Sequence, residues 1–218
     1  MGKIRVYHFL SAENALDDIE KRRIKISEIE HLNDPFELWC LAQQNRELRD
    51  RLRDYKQTMN KQYGVLCFCK GWRNPLLWSH YADRHRGMCL GFDVEDNAAK
   101  PVQYVEDRPS IPYPFSGELR PISDQLLSTK YIDWKYEDEL RIWIGLKERD
   151  PATQLYFCDF EENLRLKEVI AGPSCEVTLQ RIHQALGDMR DVAIIKARLA
   201  FKTFQVVARG WHFDADDT

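Results

Sequence analysis

YHFLSAENALDDIEKRRIKISEIEHLNDPFE, residues 7–37, opens on an aromatic run and closes on a polar turn. Taken with the residues before it, IRVYHFL is β-branched and aromatic and predicts a strand. Ser11 stands where an N-cap would. The following AENALDDIEKRR sets Ala12, Ala15, Leu16 and Ile19 at helical spacing, with acidic residues early and basic ones late, as the helix dipole prefers. IKIS returns to strand character. Asn33, Asp34 and Pro35 then arrive together, with Pro35 fixing the backbone. They make either a plain Asx turn joining strand to helix or a turn presenting amide and carboxylate groups to a ligand.

Working outward, LWCLAQQNRELRDRLRDYKQTMNKQY predicts a long helix whose Leu48, Leu52 and Tyr55 form an apolar stripe, read as core contact. GVLCFCKG predicts a strand that puts Cys67 and Cys69 on one face and Phe68 on the other. NPLLWSHYADRHRG begins as a helix at Asn74 and Pro75. MCLGFDV, VQYVE, DELRIWIG, LYFCDF and LRLKEVIAG read as strands, PISDQLLSTK as a short helix, and SCEVTLQRIHQALGDM as an amphipathic helix. RPSIPYPFSGE has the composition of a long surface loop. AIIKARLAFKTFQVVAR closes the chain with strand character. The expectation is one α+β domain over 1–218, built on curved mixed or antiparallel sheets with peripheral helices, its acidic tail 213–218 frayed. Strict βα alternation is missing, as are G-x-G-x-x-G and G-x-x-x-x-G-K-[ST], which argues against a doubly wound nucleotide fold.

The chain of 218 residues is 44% hydrophobic and 31% charged, enough to bury a substantial core. A formal net charge of −3 argues against strong nonspecific attraction to nucleic acid or acidic membranes, though a local basic cleft would not register in that sum. No window is apolar enough to span a bilayer, so a cytoplasmic protein without membrane contact is expected. The six cysteines form no C-x-x-C and read as reduced thiols, mostly buried.

Three constellations could carry chemistry. Cys67, Cys69, His80 and His85 lack the paired spacing of a zinc site, so no metal is expected. Ser79 and Cys69 have no nucleophile elbow around them. In WKYEDELRIW, a strand from Tyr136 to Trp143 would put Glu137, Glu139 and Arg141 on one face. Two carboxylates so placed repel unless a cation or a hydroxyl-rich ligand intervenes. Either Arg141 neutralises Glu139 on an exposed face, or the pair grips sugar hydroxyls and stabilises positive charge at an anomeric carbon.

LNDPFE, LLWSHYADRHRGMCLGFDV, KYEDELRIW and LKEVIAG, in that order over nearly the whole chain, resemble a bacterial family of domains of unknown function. More distantly, VYHFLSAENALDDIEKRRIKIS resembles the opening of the His-Tyr-Glu ADP-ribosyltransferases, the diphtheria-toxin-like and nucleic-acid-modifying toxins. That resemblance implies NAD as co-substrate and an ADP-ribosyltransferase-like fold. It gives His8 a ribose of NAD, Tyr81 the nicotinamide face, Glu139 the nicotinamide ribose, and Glu137 the acceptor. Asn33 and Asp34 would close over the adenine or ribose end, with Ser79 as a further cofactor contact and Trp78 and His80 as support. Unlike many diphtheria-like enzymes, the chain has no glycine after His8.

The function expected from the resemblance is NAD-dependent ADP-ribosyl transfer to a macromolecule, RNA, DNA or protein, as the toxin-like effector of a bacterial defence or toxin–antitoxin system restrained by an antitoxin protein. The alternatives are a noncatalytic nucleotide-sensing or protein-interaction domain on the same scaffold, and an NAD or nucleotide glycohydrolase. The helix carrying Arg46, Arg49, Arg53 and Lys56 leans towards nucleic acid but also reads as a solvated face.

Overall fold

The structure, a computed structural model, describes residues 2–42, 45–110 and 123–209. Along the chain the elements are β1 (Lys3–Leu10), α1 (Ala12–Lys21), β2 (Arg23–Glu28), α2 (Arg46–Gln62), β3 (Tyr63–Cys69), α3 (Pro75–Tyr81) and β4 (Met88–Glu95). There follow β5 (Lys100–Pro101), β6 (Gln103–Val105), α4 (Ser123–Ser128), β7 (Thr129–Tyr131), β8 (Glu139–Gly145) and β9 (Tyr156–Asp159). β10 (Leu164–Ala171), α5 (Leu179–Leu186), β11 (Ala193–Leu199) and β12 (Val206–Arg209) complete the described strands and α-helices. The fold is α+β with parallel and antiparallel strand pairs. Its described residues divide into two compact units, each assembled from separate stretches: unit 1 from those within 1–24, 68–97 and 159–218, and unit 2 from those within 25–67 and 98–158. The tail at 213–218 and most of the proline-rich segment lie outside the described residues.

In unit 1 the strand order is β12-β11-β10-β4-β1, and the end of β3 reaches β1 where Tyr7 faces Cys69. β1 and β4 pair antiparallel from Lys3↔Glu95 to Leu10↔Met88, and Val6, Phe92 and Val94 of this ladder are fully buried. β10 and β11 run parallel, which demands a crossover, and α5 supplies it. α1 forms as its sequence indicates. Ser11 Oγ accepts the Asn14 N–H at 3.2 Å, Ala15 and Ile19 are buried, and Arg22 ends the helix in the left-handed region with its N–H on Asp18 and Ile19 carbonyls. The α1 face packs on α5 and β4. α3 starts at its expected cap, Asn74 accepting the Leu76 N–H, but ends at Tyr81. Asp83, Arg84 and His85 follow in consecutive positive-φ conformations, so His80 and His85 do not share a helix as the ADRHRG reading would have it.

In unit 2, β3 pairs β2 through Ser27↔Val65 and Glu28↔Gly64, β8 pairs β3 and β5, and β6 and β7 form a separate parallel ribbon. Gly64 is required there: a Cβ would stand 2.4 Å from Ile26 Cγ2 and 2.9 Å from the Ser27 carbonyl. α2 begins at Arg46, capped by Asn45, not at Leu38 as the long helical pattern suggests. Asp34 and the turns after it hold Leu38 out of the helix, with φ 59°. The Leu48, Leu52 and Tyr55 stripe packs with Leu41 and Leu126 as core. On the outer face, Arg46 and Arg53 pair with Asp50, which is the solvated-face reading.

Candidate functional site

The chemistry-bearing residues of unit 2 converge on Lys130. WKYEDELRIW is not one strand from Tyr136. Residues Ile132–Glu137 form a 3-10 helix, Asp138 turns the chain in the left-handed region (φ 43°), and β8 begins only at Glu139. Asp tolerates that conformation better than most residues, and the turn delivers both carboxylates to one cation. Lys130 Nζ lies 2.7 Å from Glu137 and 3.3 Å from Glu139.

Arg141 completes the cluster. Its Nε donates to Glu139 at 2.9 Å, its two terminal nitrogens donate to Glu37 at 2.9 and 2.6 Å, and Nη1 also reaches the Leu127 carbonyl at 3.0 Å. Lys130 stands 3.7 Å from Glu37. The Tyr104 hydroxyl accepts the Glu139 backbone N–H at 2.9 Å. All five charged residues are buried, Glu139 at 4% exposure and Arg141 at 0%, which corrects the expectation of an exposed Glu139–Arg141 pair. The cation that the carboxylates needed is present twice.

Burial opposes the charge on Glu139, yet Arg141 and Lys130 prevail and hold its pKa below the usual range. On Glu37 burial wins over the same two cations and raises the pKa, so Glu37 is the first of the two to take a proton as pH falls. Lys130 is held charged: burial works against its ammonium, but the three carboxylates outweigh burial and raise its pKa. Three carboxylates thus face two cations in a dry site, and removal of either cation would strand buried anions.

Beside the cluster is a cavity of about 280 Å³. Its lining includes Asp34, Phe36, Cys40, Arg108, Lys130 and Tyr131, but neither Glu137 nor Glu139. Phe36 and Tyr131 are half exposed (50% and 47%), and the Arg108 guanidinium lies 4.7 Å from the Phe36 ring centroid. Asp34 makes the Asx turn: its Oδ1 accepts the Phe36 N–H at 2.8 Å and its carbonyl the Glu37 N–H at 3.1 Å. That turn places Phe36 on the cavity and Glu37 on Arg141. Asn33 is exposed and is not among the lining residues. Burial pushes the Cys40 thiol up to about 11, which leaves it inert near neutral pH.

The remaining site residues lie in unit 1. His8, on β1, is half-buried and meets Phe68 edge-on at 5.8 Å. On α3, Ser79 and His80 are exposed and Tyr81 is half-buried. Trp78 is a packing residue, as expected, wedged between Phe9 and Trp72. Tyr7, next to His8 on β1, is half-buried beside Glu168, which Arg5 bridges to Asp93. Burial, with Glu168 adding to it, raises Tyr7 to about 12 from 10.0. A raised pKa contributes stability that is complete below the unfolded value and is lost as pH rises through the folded one. Unfolding free energy is therefore expected to fall between about pH 10 and 12, and less steeply in Tyr7→Phe; denaturant titrations with equal slopes in both proteins would refute this.

Among the described residues no group of three or more His, Cys, Asp and Glu could hold a metal ion, and no helix is long and apolar enough to cross a membrane. None of the six cysteines is in a disulfide. Compared with known proteins, the chain matches no family model, no curated protein and no solved structure.

Proposed function

We propose that this protein binds NAD through the unit 2 cavity and transfers its ADP-ribosyl group to a macromolecular acceptor. The observation that carries this reading is the convergence of two motifs, LNDPFE and YEDELR, which lie about a hundred residues apart: Glu37 of the first is clamped by Arg141 of the second, and Asp34 and Lys130 line one cavity. At about 280 Å³ the cavity sits just below the ordinary range for small-molecule sites, roughly 300–1,000 Å³, so it takes a nucleoside-sized portion of the dinucleotide. Phe36, Tyr131 and Arg108 offer ring and guanidinium faces to a base, and Lys130 an ammonium to a phosphate or ribose oxygen.

Cleavage of the nicotinamide–ribose bond develops positive charge on the ribose, and a carboxylate held ionised near that atom favours it. Glu139 is kept anionic by Arg141 and Lys130; for its charge to be felt, the Lys130 ammonium must move to the ligand. The burial of Glu139 in two ion pairs supports a second reading, a noncatalytic nucleotide-binding domain.

Labelled NAD incubated with the protein and cell extract decides between them. The transferase reading predicts label on protein, DNA or RNA that is lost in Glu139→Gln, with circular dichroism confirming that the variant folds. Saturable NAD binding without nicotinamide release would establish the binding domain instead, and release without label would establish hydrolysis.

A further inference from the structure

In unit 1 the closing segment is not one strand. β11 and β12 pair antiparallel from Leu199↔Val206 to Lys196↔Arg209, closed by the Ala200 N–H on the Gln205 carbonyl at 2.9 Å. The connecting residues put two aromatic rings into water: Phe201 is 90% exposed and Phe204 99%, next to a 58% exposed Leu199. Leaving such rings in water forgoes the free energy of burying them, so a hairpin tip built this way calls for an occupant.

The charges around the rings indicate what it is. From Ala193 to Arg209 the segment carries Lys196, Arg198, Lys202 and Arg209 and no acidic residue, in a chain whose net charge is −3. Lys196 is committed to the Gly172 and Cys175 carbonyls, which leaves three cations. The Arg198 guanidinium lies 4.6 Å from the Phe201 ring centroid, and Lys202 stands between the two phenylalanines in sequence. The Arg73 carbonyl accepts the Val206 N–H at 2.9 Å and brings one more exposed arginine to the hairpin base. The tip residues, with Pro75 and His85, line a cavity of about 500 Å³. His85 reaches it from the left-handed run Asp83–Arg84–His85.

Exposed aromatic faces alternating with cations are the chemistry of a single-stranded nucleic acid site: each base offers a π-face to a ring and each phosphate a charge to a lysine or arginine. We infer that the β11–β12 hairpin is a stacking platform for single-stranded nucleic acid, with Phe201 and Phe204 taking bases and Arg198, Lys202 and Arg73 the backbone. An acidic protein surface would match the cations, but it has no need of two bare rings set one on each side of a lysine. This surface stands apart from the NAD reading; where both hold, the acceptor is nucleic acid.

The test is fluorescence anisotropy with labelled oligo(dT), oligo(U) and duplex DNA of about 12 units, a length within the usual site size, without NAD. The wild-type chain is expected to bind the single strands in preference to the duplex, and more weakly as salt rises. Preference between the two strands assigns DNA or RNA. Phe201→Ala and Phe204→Ala are each expected to weaken binding about ten-fold with unchanged melting, since both rings are exposed. Lys202→Ala should lower the slope of log affinity against log salt by about one. Absent binding at low salt, equal binding of duplex, or phenylalanine variants that bind as well as wild type would each overturn the inference. So would a concentration-dependent dimer that the double phenylalanine variant abolishes, which would make the tip a self-interface. Since NAD is absent throughout, none of these outcomes bears on transferase activity.

Discussion

Arg141→Met is expected to destabilise the protein by about 3–5 kcal/mol, the usual result of removing one partner from a buried ion pair. Methionine fills much of the space, so the loss is electrostatic. Lys130, at 3.7 and 3.3 Å, would be the one cation left to Glu37 and Glu139 in this cluster, and the Leu127 carbonyl would lose the Arg141 donor. Against a typical total of about 5–15 kcal/mol this is a large fraction. For a chain of this length it corresponds to a fall of roughly 6–20 °C in melting midpoint. Pairing Arg141→Met with Glu37→Leu should recover part of the loss, because the second change removes a stranded anion. Denaturant titration of the two single variants and the double variant measures this. An unchanged midpoint in Arg141→Met would mean that the cluster contributes nothing to folding.

Trp78→Ala is expected to cost about as much, roughly 3–5 kcal/mol, by a different route. Trp78 is fully buried and meets Phe9 edge-on at 5.1 Å and Trp72 at 6.5 Å; its indole N–H donates to the Trp72 carbonyl at 2.5 Å. Alanine would leave a cavity and an unpaired carbonyl together. The Trp78 carbonyl receives the N–H groups of Ala82 and His85, so this residue also anchors the turn that carries His85. Trp78→Phe, which keeps a ring but loses the donor, should fall between wild type and alanine. Equal melting of Trp78→Phe and wild type would remove the indole hydrogen bond from the account, and a small effect of Trp78→Ala would show that the site collapses to fill the space.

Local elements were legible where one physical signal dominates. Ser11 and Asn74 cap the helices that follow them, and the alternation in GVLCFC buries Phe68 while leaving Cys67 and Cys69 partly accessible. The β11–β12 hairpin was not legible, because AFKTFQ contains none of the Gly, Asn, Asp or Pro residues that mark a reversal. The carboxylate pair showed that a cation was needed but not which one. Lys130 sits in STKY, a context that reads as surface, and it is buried only because three acids surround it. Glu37 read as the last residue of a turn; its partner Arg141 is 104 positions away, a pairing that folding creates and no local pattern records. The burial of Glu139 was missed for the same reason, since a charged residue next to another charge reads as exposed unless its long-range partners are known.

Calorimetric titration of NAD into the wild-type protein and a Phe36→Ala, Tyr131→Ala variant tests most directly whether the cavity lined by the LNDPFE turn and Thr129–Tyr131, with the Glu37–Arg141–Lys130 cluster beside it, is a nucleotide site. Both rings are half exposed, so the variant should keep the wild-type melt. Saturable binding to wild type, a rise in its melting temperature with NAD, and at least about ten-fold weaker binding to the variant are expected. No heat and no thermal shift with wild type, or equal affinity in the variant, would contradict this.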